Sequence, residues 1–185
     1  MAHNHRGMLL TTARALVKER FGAAGWSKLC ASLPKEDVSA VWEGLILPTG
    51  WYDAEVMWRF LAAAERAFGP DVGEAIGRRT AEGNLKTYLD ALRDVHDPGV
   101  LLGQAGRLWQ EYNSEGSMEV VERATKGLRI VTHAPPGVPR IFCAGLIVGW
   151  GSAAIEAAGG KVKRVEHATC VHDGFSNCEY IVEWE

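Results

Sequence analysis

Between Glu166 and Cys178 the chain reads EHATCVHDGFSNC, with two cysteines, two histidines and a glutamate within 13 residues. Thiolate and imidazole are the usual protein ligands of zinc. Two cysteines at this separation also suit a cross-strand disulfide, or simply two small buried side chains. Asp173-Gly174 is a turn signal, so the stretch reads as a hairpin centred on Gly174. That register sets Cys170 opposite Cys178, Ala168 opposite Tyr180, Glu166 opposite Val182 and Arg164 opposite Trp184. Directly paired residues share a face, so both thiols point the same way. His167 is an odd number of residues from Cys170 and faces away in a regular strand. Glu166 shares the face but lies roughly 13 Å along the strand. Either reaches the thiols only if a bulge intervenes, while His172, in the turn, is a further candidate. Zinc, disulfide and buried thiols all remain open at this point.

The elements that position this hairpin follow from periodicity. "RGMLLTTARALVKERFG" has helical spacing and stops at Gly22, "AGWSKLCASL" and "KEDVSAVWEGL" are short helices, and Asp53 caps "AEVMWRFLAAAERAFGPD". A helix over 71–94 and another in "VLLGQAGRLWQEY" follow. The pattern then changes. "SMEVVERATKGLRIVTHA" reads as two strands joined at Lys126-Gly127, "PPGVPRIFCAGLIVGWGSAAIEAAGG" as a helix, and "KVKRVEHATC" and "SNCEYIVEW" as the closing hairpin. The expected fold class is α+β: an N-terminal helical layer followed by a β-β-α-β-β unit with an antiparallel sheet. Residues 1–185 are expected to form one domain, mainly helical over 1–115 and β-β-α-β-β over 116–185. Gly145 and Gly149, four apart, allow the late helix to lie close against a neighbour. Cys178, Tyr180, Val182 and Trp184 alternate with Glu179, Ile181 and Glu183, which makes the first set the buried face.

Composition narrows the function. With 47% hydrophobic and 23% charged residues in 185, the chain is globular rather than disordered. A net charge of −3 supplies no basic face for nucleic acid. No apolar run is long enough for a membrane span, and the N-terminus has no secretory signal pattern, so a cytoplasmic protein is expected. No nucleophile elbow, phosphate-binding glycine loop or His-Glu-x-x-His occurs, and no enzyme is expected. His3 and His5 are read as part of a mobile N-terminus, and Cys30 as core.

The stretches "GMLLTTARALVKERFGAAGW", "GRRTAEGNLKTYLDAL", "FCAGLIVGWGSAA" and "CVHDGFSNCEYIVEW", in that order and spacing, resemble the superfamily joining haem-nitric-oxide/oxygen-binding (H-NOX) domains with vinyl-four-reductase-type domains. The resemblance implies a small-molecule pocket between helices and sheet, used for sensing or carriage. Trp58, Trp109, Tyr112 and Phe142 are its expected wall, and a small apolar or aromatic molecule its expected ligand. On the haem branch, the proximal histidine position falls near Trp109-Gln110, and the Tyr-x-Ser-x-Arg cluster is missing near "EVVERATK". Haem is therefore not expected, unless through an unorthodox ligand such as His96. On the other branch, some domains hold a structural zinc with hairpin cysteines, a cysteine of the preceding helix and an acidic residue. The resemblance then implies Cys143, Cys170 and Cys178 as ligands. His167 stands where the acidic residue is expected, with Glu166 or His172 as alternative fourth ligand. A protein partner is expected to receive the signal. The same superfamily resembles vesicle-tethering (TRAPP) subunits, so an interaction or scaffold subunit, or a homodimer, is the alternative. The Gly145/Gly149 face and an uncovered sheet edge are its expected contact surfaces.

Overall fold

The computed structural model describes residues 3–91 and 96–185. The architecture is mixed α+β, as the element pattern predicts. Strand β1 (Asn4–Arg6) leads directly into α1 (Gly7–Ala31), whose path breaks at Gly22, where φ is 66°. The two helices read from sequence on either side of Gly22 are thus one element with a kink. Helix α2 (Lys35–Asp37) runs into a π-helical turn at Val38–Trp42. Strand β2 (Trp51–Asp53) precedes α3 (Ala54–Phe68), where the Asp53 carboxylate accepts from the Glu55 amide as the sequence predicts. Helices α4 (Asp71–Ala91), α5 (Pro98–Leu102) and α6 (Ala105–Tyr112) complete the helical part. The end of the α4 span read from sequence, 92–94, lies outside the described residues.

Four strands form the main sheet: β3 (Ser117–Ala124), β4 (Gly127–His133), β5 (Val162–Thr169) and β6 (Cys178–Trp184). They are antiparallel in the order β3-β4-β6-β5. Between β4 and β5 a π-helical turn, Phe142–Ile147, runs into α7 (Val148–Ala157). Cys178, Tyr180, Val182 and Trp184 are all buried, so the alternation of β6 identified the core face.

Helix α7 is packed between α4 and β5. Glycines set its distance from α4: a Cβ on Gly77 would stand 2.0 Å from the Leu146 carbonyl oxygen, and one on Gly149 would stand 2.1 Å from that of Glu74. Gly145 lies against Gly73 in the same contact. The Gly145/Gly149 face expected to serve assembly is therefore used inside the fold.

A second, two-stranded sheet was not foreseen. β1 pairs antiparallel with β2, His5 opposite Tyr52, and His5 also bridges to Asn113 beyond α6. Gly7 and Met8 donate to the carbonyls of Gly50 and Pro48, both at 2.8 Å. The segment from His3 to Met8, expected to be mobile, is thus tied down.

Candidate functional site

The closing hairpin does not follow the register centred on Gly174. His167 pairs with Tyr180, Glu166 with Ile181, Val165 with Val182 and Arg164 with Glu183. Between His167 and Thr169 the register shifts, with Ala168 as the extra residue of a β-bulge. The bulge turns His167 onto the face of Cys178 and Tyr180. Its ligand atom and the sulfurs of Cys170 and Cys178 all lie within 4.8 Å of one another. Glu166 is directed elsewhere and is bound by the Arg164 guanidinium, and the His172 ring meets the Val138 carbonyl at 2.9 Å. Neither joins the thiols.

The two hairpin sulfurs are 3.9 Å apart and unbonded. A disulfide holds its sulfurs at about 2.05 Å. Two thiolates on one tetrahedral zinc, each at about 2.3 Å, stand about 3.8 Å apart. The spacing suits the metal. Cys143, on the π-helical turn, approaches Cys178 from the helical side but is not one of the three residues whose donor atoms lie within 4.8 Å of one another. His167, Cys170 and Cys178 thus supply a Cys₂His set of donors of the kind that fits zinc. The hairpin loop is held against the segment leading to Cys143 by Arg140, which donates to both Asp173 carboxylate oxygens at 2.7 and 2.8 Å.

Proton affinities inside the cluster are uneven. The Cys143 thiol, then the His167 imidazole and the Val171 amide, hold Cys178 below the ordinary thiol range. Cys143, bonded to Cys178 and desolvated, is pushed up, and burial raises Cys170. One thiolate is stabilised at the expense of its neighbours, and His167 Nε2 is buried without a hydrogen-bond partner. A cation would satisfy both.

Beside this cluster lies an apolar cavity of about 80 Å³. It is bounded by α6, the π-helical turn, α7 and the inner face of the sheet. Trp109, Tyr112 and Phe142 stand in its wall, together with Trp150, Leu146 and Tyr180. Trp58 does not. It lies behind Phe142, where its indole N–H donates to His5 Nε2 at 3.0 Å. Trp150 and Tyr180 were missed as wall residues, although the burial pattern of β6 pointed to the second.

His5 was also missed. Its ring is fully buried and stacks on Phe142 with centroids 5.3 Å apart. Burial first, and then the nearby His3, hold its pKa down to about 3, so it is a neutral imidazole. No periodic pattern in "AHNHRG" announces this; the burial comes from pairing with residues 51–53 and 113.

Solved structures share this arrangement of elements. An H-NOX protein from K. algicida, solved as Fe(II) unliganded, matches with a TM-score of 0.74 at 16% identity, covering 97% of this chain and 96% of that one. An H-NOX protein from S. oneidensis in the Fe(II)NO ligation state gives 0.73 at 17% identity, over 97% and 99%. A variant of Tt H-NOX gives 0.66 at 12% identity, over 97% and 95%. No protein-family model and no curated protein matches the sequence. At these identities the likeness is one of fold, and the fold is that of H-NOX domains.

Haem, which this fold implies, needs an axial donor and space for the macrocycle. Among the described residues bordering the cavity there is no histidine, cysteine, lysine or arginine, and Met118, Tyr112 and Tyr180 are the side chains there of types that ligate haem iron. The hydroxyl of Tyr180 is engaged with the Cys143 carbonyl, and His96 is exposed. The wall as described thus lacks an imidazole or thiolate for haem iron.

Proposed function

We propose that this chain is a non-catalytic, haem-free domain that binds a small apolar or aromatic molecule in the cavity between α6, α7 and the sheet. It acts as a sensor or carrier, and a zinc held by Cys143, His167, Cys170 and Cys178 staples the closing hairpin beside it. The observation that carries this reading is the apolar cavity itself. Apolar pockets with few polar groups are the usual form of small-molecule sites. One water needs about 10–15 Å³ of such volume, so about 80 Å³ leaves room for a small organic molecule in a wall that offers water little. No activated nucleophile or acid–base pair borders the cavity among the described residues, which supports binding over turnover. No helix among the described residues is long and apolar enough to cross a membrane. A cytoplasmic setting, with a protein partner or a second copy as receiver of the signal, completes the reading.

The test is a titration of the purified protein with a panel of small apolar and aromatic compounds. Fluorescence and melting temperature are recorded together, since Trp109 and Trp150 stand in the wall. The expected result is a saturable fluorescence change with a matching rise in melting temperature for some members. No response across the panel would overturn the reading.

A second reading, a haem-based gas sensor with an unorthodox ligand, is favoured by the fold neighbours solved with iron. It predicts a Soret band on titration with haemin in reducing buffer. A featureless difference spectrum ends it.

A further inference from the structure

Cavity and thiol cluster are built from the same two segments. On the π-helical turn, Phe142 and Leu146 border the cavity while Cys143 adjoins Cys178 of the cluster. On β6, Val182 borders the cavity while Cys178 holds one of the clustered sulfurs. Tyr180 belongs to both. Only 2% exposed, it presents its ring to the cavity. The same ring stacks on the His167 imidazole with centroids 4.9 Å apart and planes 15° from parallel. Its hydroxyl donates to the backbone carbonyl of Cys143 at 3.2 Å.

We infer that Tyr180 is a positioning residue that couples metal binding at the cluster to occupancy of the cavity. The inference rests on the function proposed above, and adds that the two sites are not independent. A tetrahedral site needs its nitrogen and sulfur donors within about 2.0–2.3 Å of the ion, which demands a fixed imidazole plane and a fixed π-helical turn. Tyr180 restrains both: its ring sets the plane of His167, and its hydroxyl holds the backbone that carries the Cys143 thiol. A molecule filling the cavity packs on the free side of that ring and removes its remaining freedom. Ordering the ring in advance lowers the entropy lost when metal binds, and metal bound first prepares the cavity in the same way. Thermodynamic linkage makes the two effects equal.

The experiment measures zinc affinity by competition with a chromophoric chelator, with and without saturating toluene as the cavity probe. It is run on the wild-type chain and on Tyr180→Phe. Toluene affinity is measured in parallel, with and without zinc, by melting temperature and tryptophan fluorescence. The expected result in wild type is that toluene tightens zinc about fivefold or more, and that zinc tightens toluene by the same factor. In Tyr180→Phe both bind, but the factor falls to within about twofold of unity. A tyrosine that merely filled the core would lower stability and leave the ratio unchanged. Zinc and toluene both binding wild type without affecting one another overturns the coupling and leaves the function standing. Full coupling retained in Tyr180→Phe overturns the role of the hydroxyl. Failure of zinc or of toluene to bind wild type overturns the function reading and the coupling with it. Because the wild-type cycle is decisive alone, a variant that does not fold cannot shelter the idea.

Discussion

The sulfurs of Cys170 and Cys178 face each other across the closing hairpin at 3.9 Å, too far for a disulfide and close to the sulfur–sulfur spacing of a tetrahedral zinc site. Bound zinc follows as the expected state of the purified protein. Native mass spectrometry should show one zinc per chain, lost on denaturation. Cys143→Ser or Cys170→Ser should lose it under native conditions. A native mass equal to the bare chain, or lowered by the two hydrogens of a disulfide, would remove zinc.

Ala168 gives a sharper test of the same site. It is exposed and contributes only its length, as the extra residue of the bulge. Deleting it leaves His167 opposite Tyr180 in an unbroken ladder, two places from Cys170, so the imidazole stays on the thiol face. Zinc binding should survive the deletion, whereas His167→Ala should lower zinc affinity by at least roughly tenfold. The variant Ala168→Ser keeps the bulge and should bind as wild type does; chelator competition reads all three.

His5 makes stability pH-dependent. Its folded pKa of about 3 lies below the ordinary 6.5, so the unfolded chain takes up the proton first. This contribution is fully present above pH 6.5 and is lost as the pH falls toward 3. Its slope approaches about 1.4 kcal/mol per pH unit in that window. Urea unfolding across the window should show a shallower slope for His5→Gln, which retains an acceptor for the Trp58 indole. An unchanged slope would mean that other groups dominate.

Two glycines of α4 should respond in opposite directions. Gly77→Ala forces a methyl to within 2.0 Å of the Leu146 carbonyl oxygen, which cannot move without shifting the π-helical turn. A loss of about 3 kcal/mol or more is expected. Gly83, with nothing within 4 Å of its hypothetical Cβ, should gain about 0.5–1 kcal/mol as alanine. Denaturant midpoints of the two variants decide this.

Much of the fold was legible locally. Helical spacing, the Asp53 cap, the Gly22 break and the alternation along β6 each depend on neighbours a few residues away, and the order of elements emerged from them. The facing of Cys170 toward Cys178 was legible for the same reason. The fourth donor was not, because a bulge is decided by how two strands compete for register against the core, and "EHATC" alternates too weakly to show the extra residue.

Sequence alone thus determined the succession of elements and the facing of Cys170 toward Cys178, since both follow from side-chain type and short-range periodicity. Tertiary structure alone decided three things. It turned His167 to the thiols through the Ala168 bulge. It buried His5 by pairing β1 with strands and turns far along the chain. It used the Gly145/Gly149 face to seat α7 on α4 rather than on a partner. Each is a contact between segments distant in sequence, where the gain from burying apolar surface and satisfying backbone groups outweighs local preference.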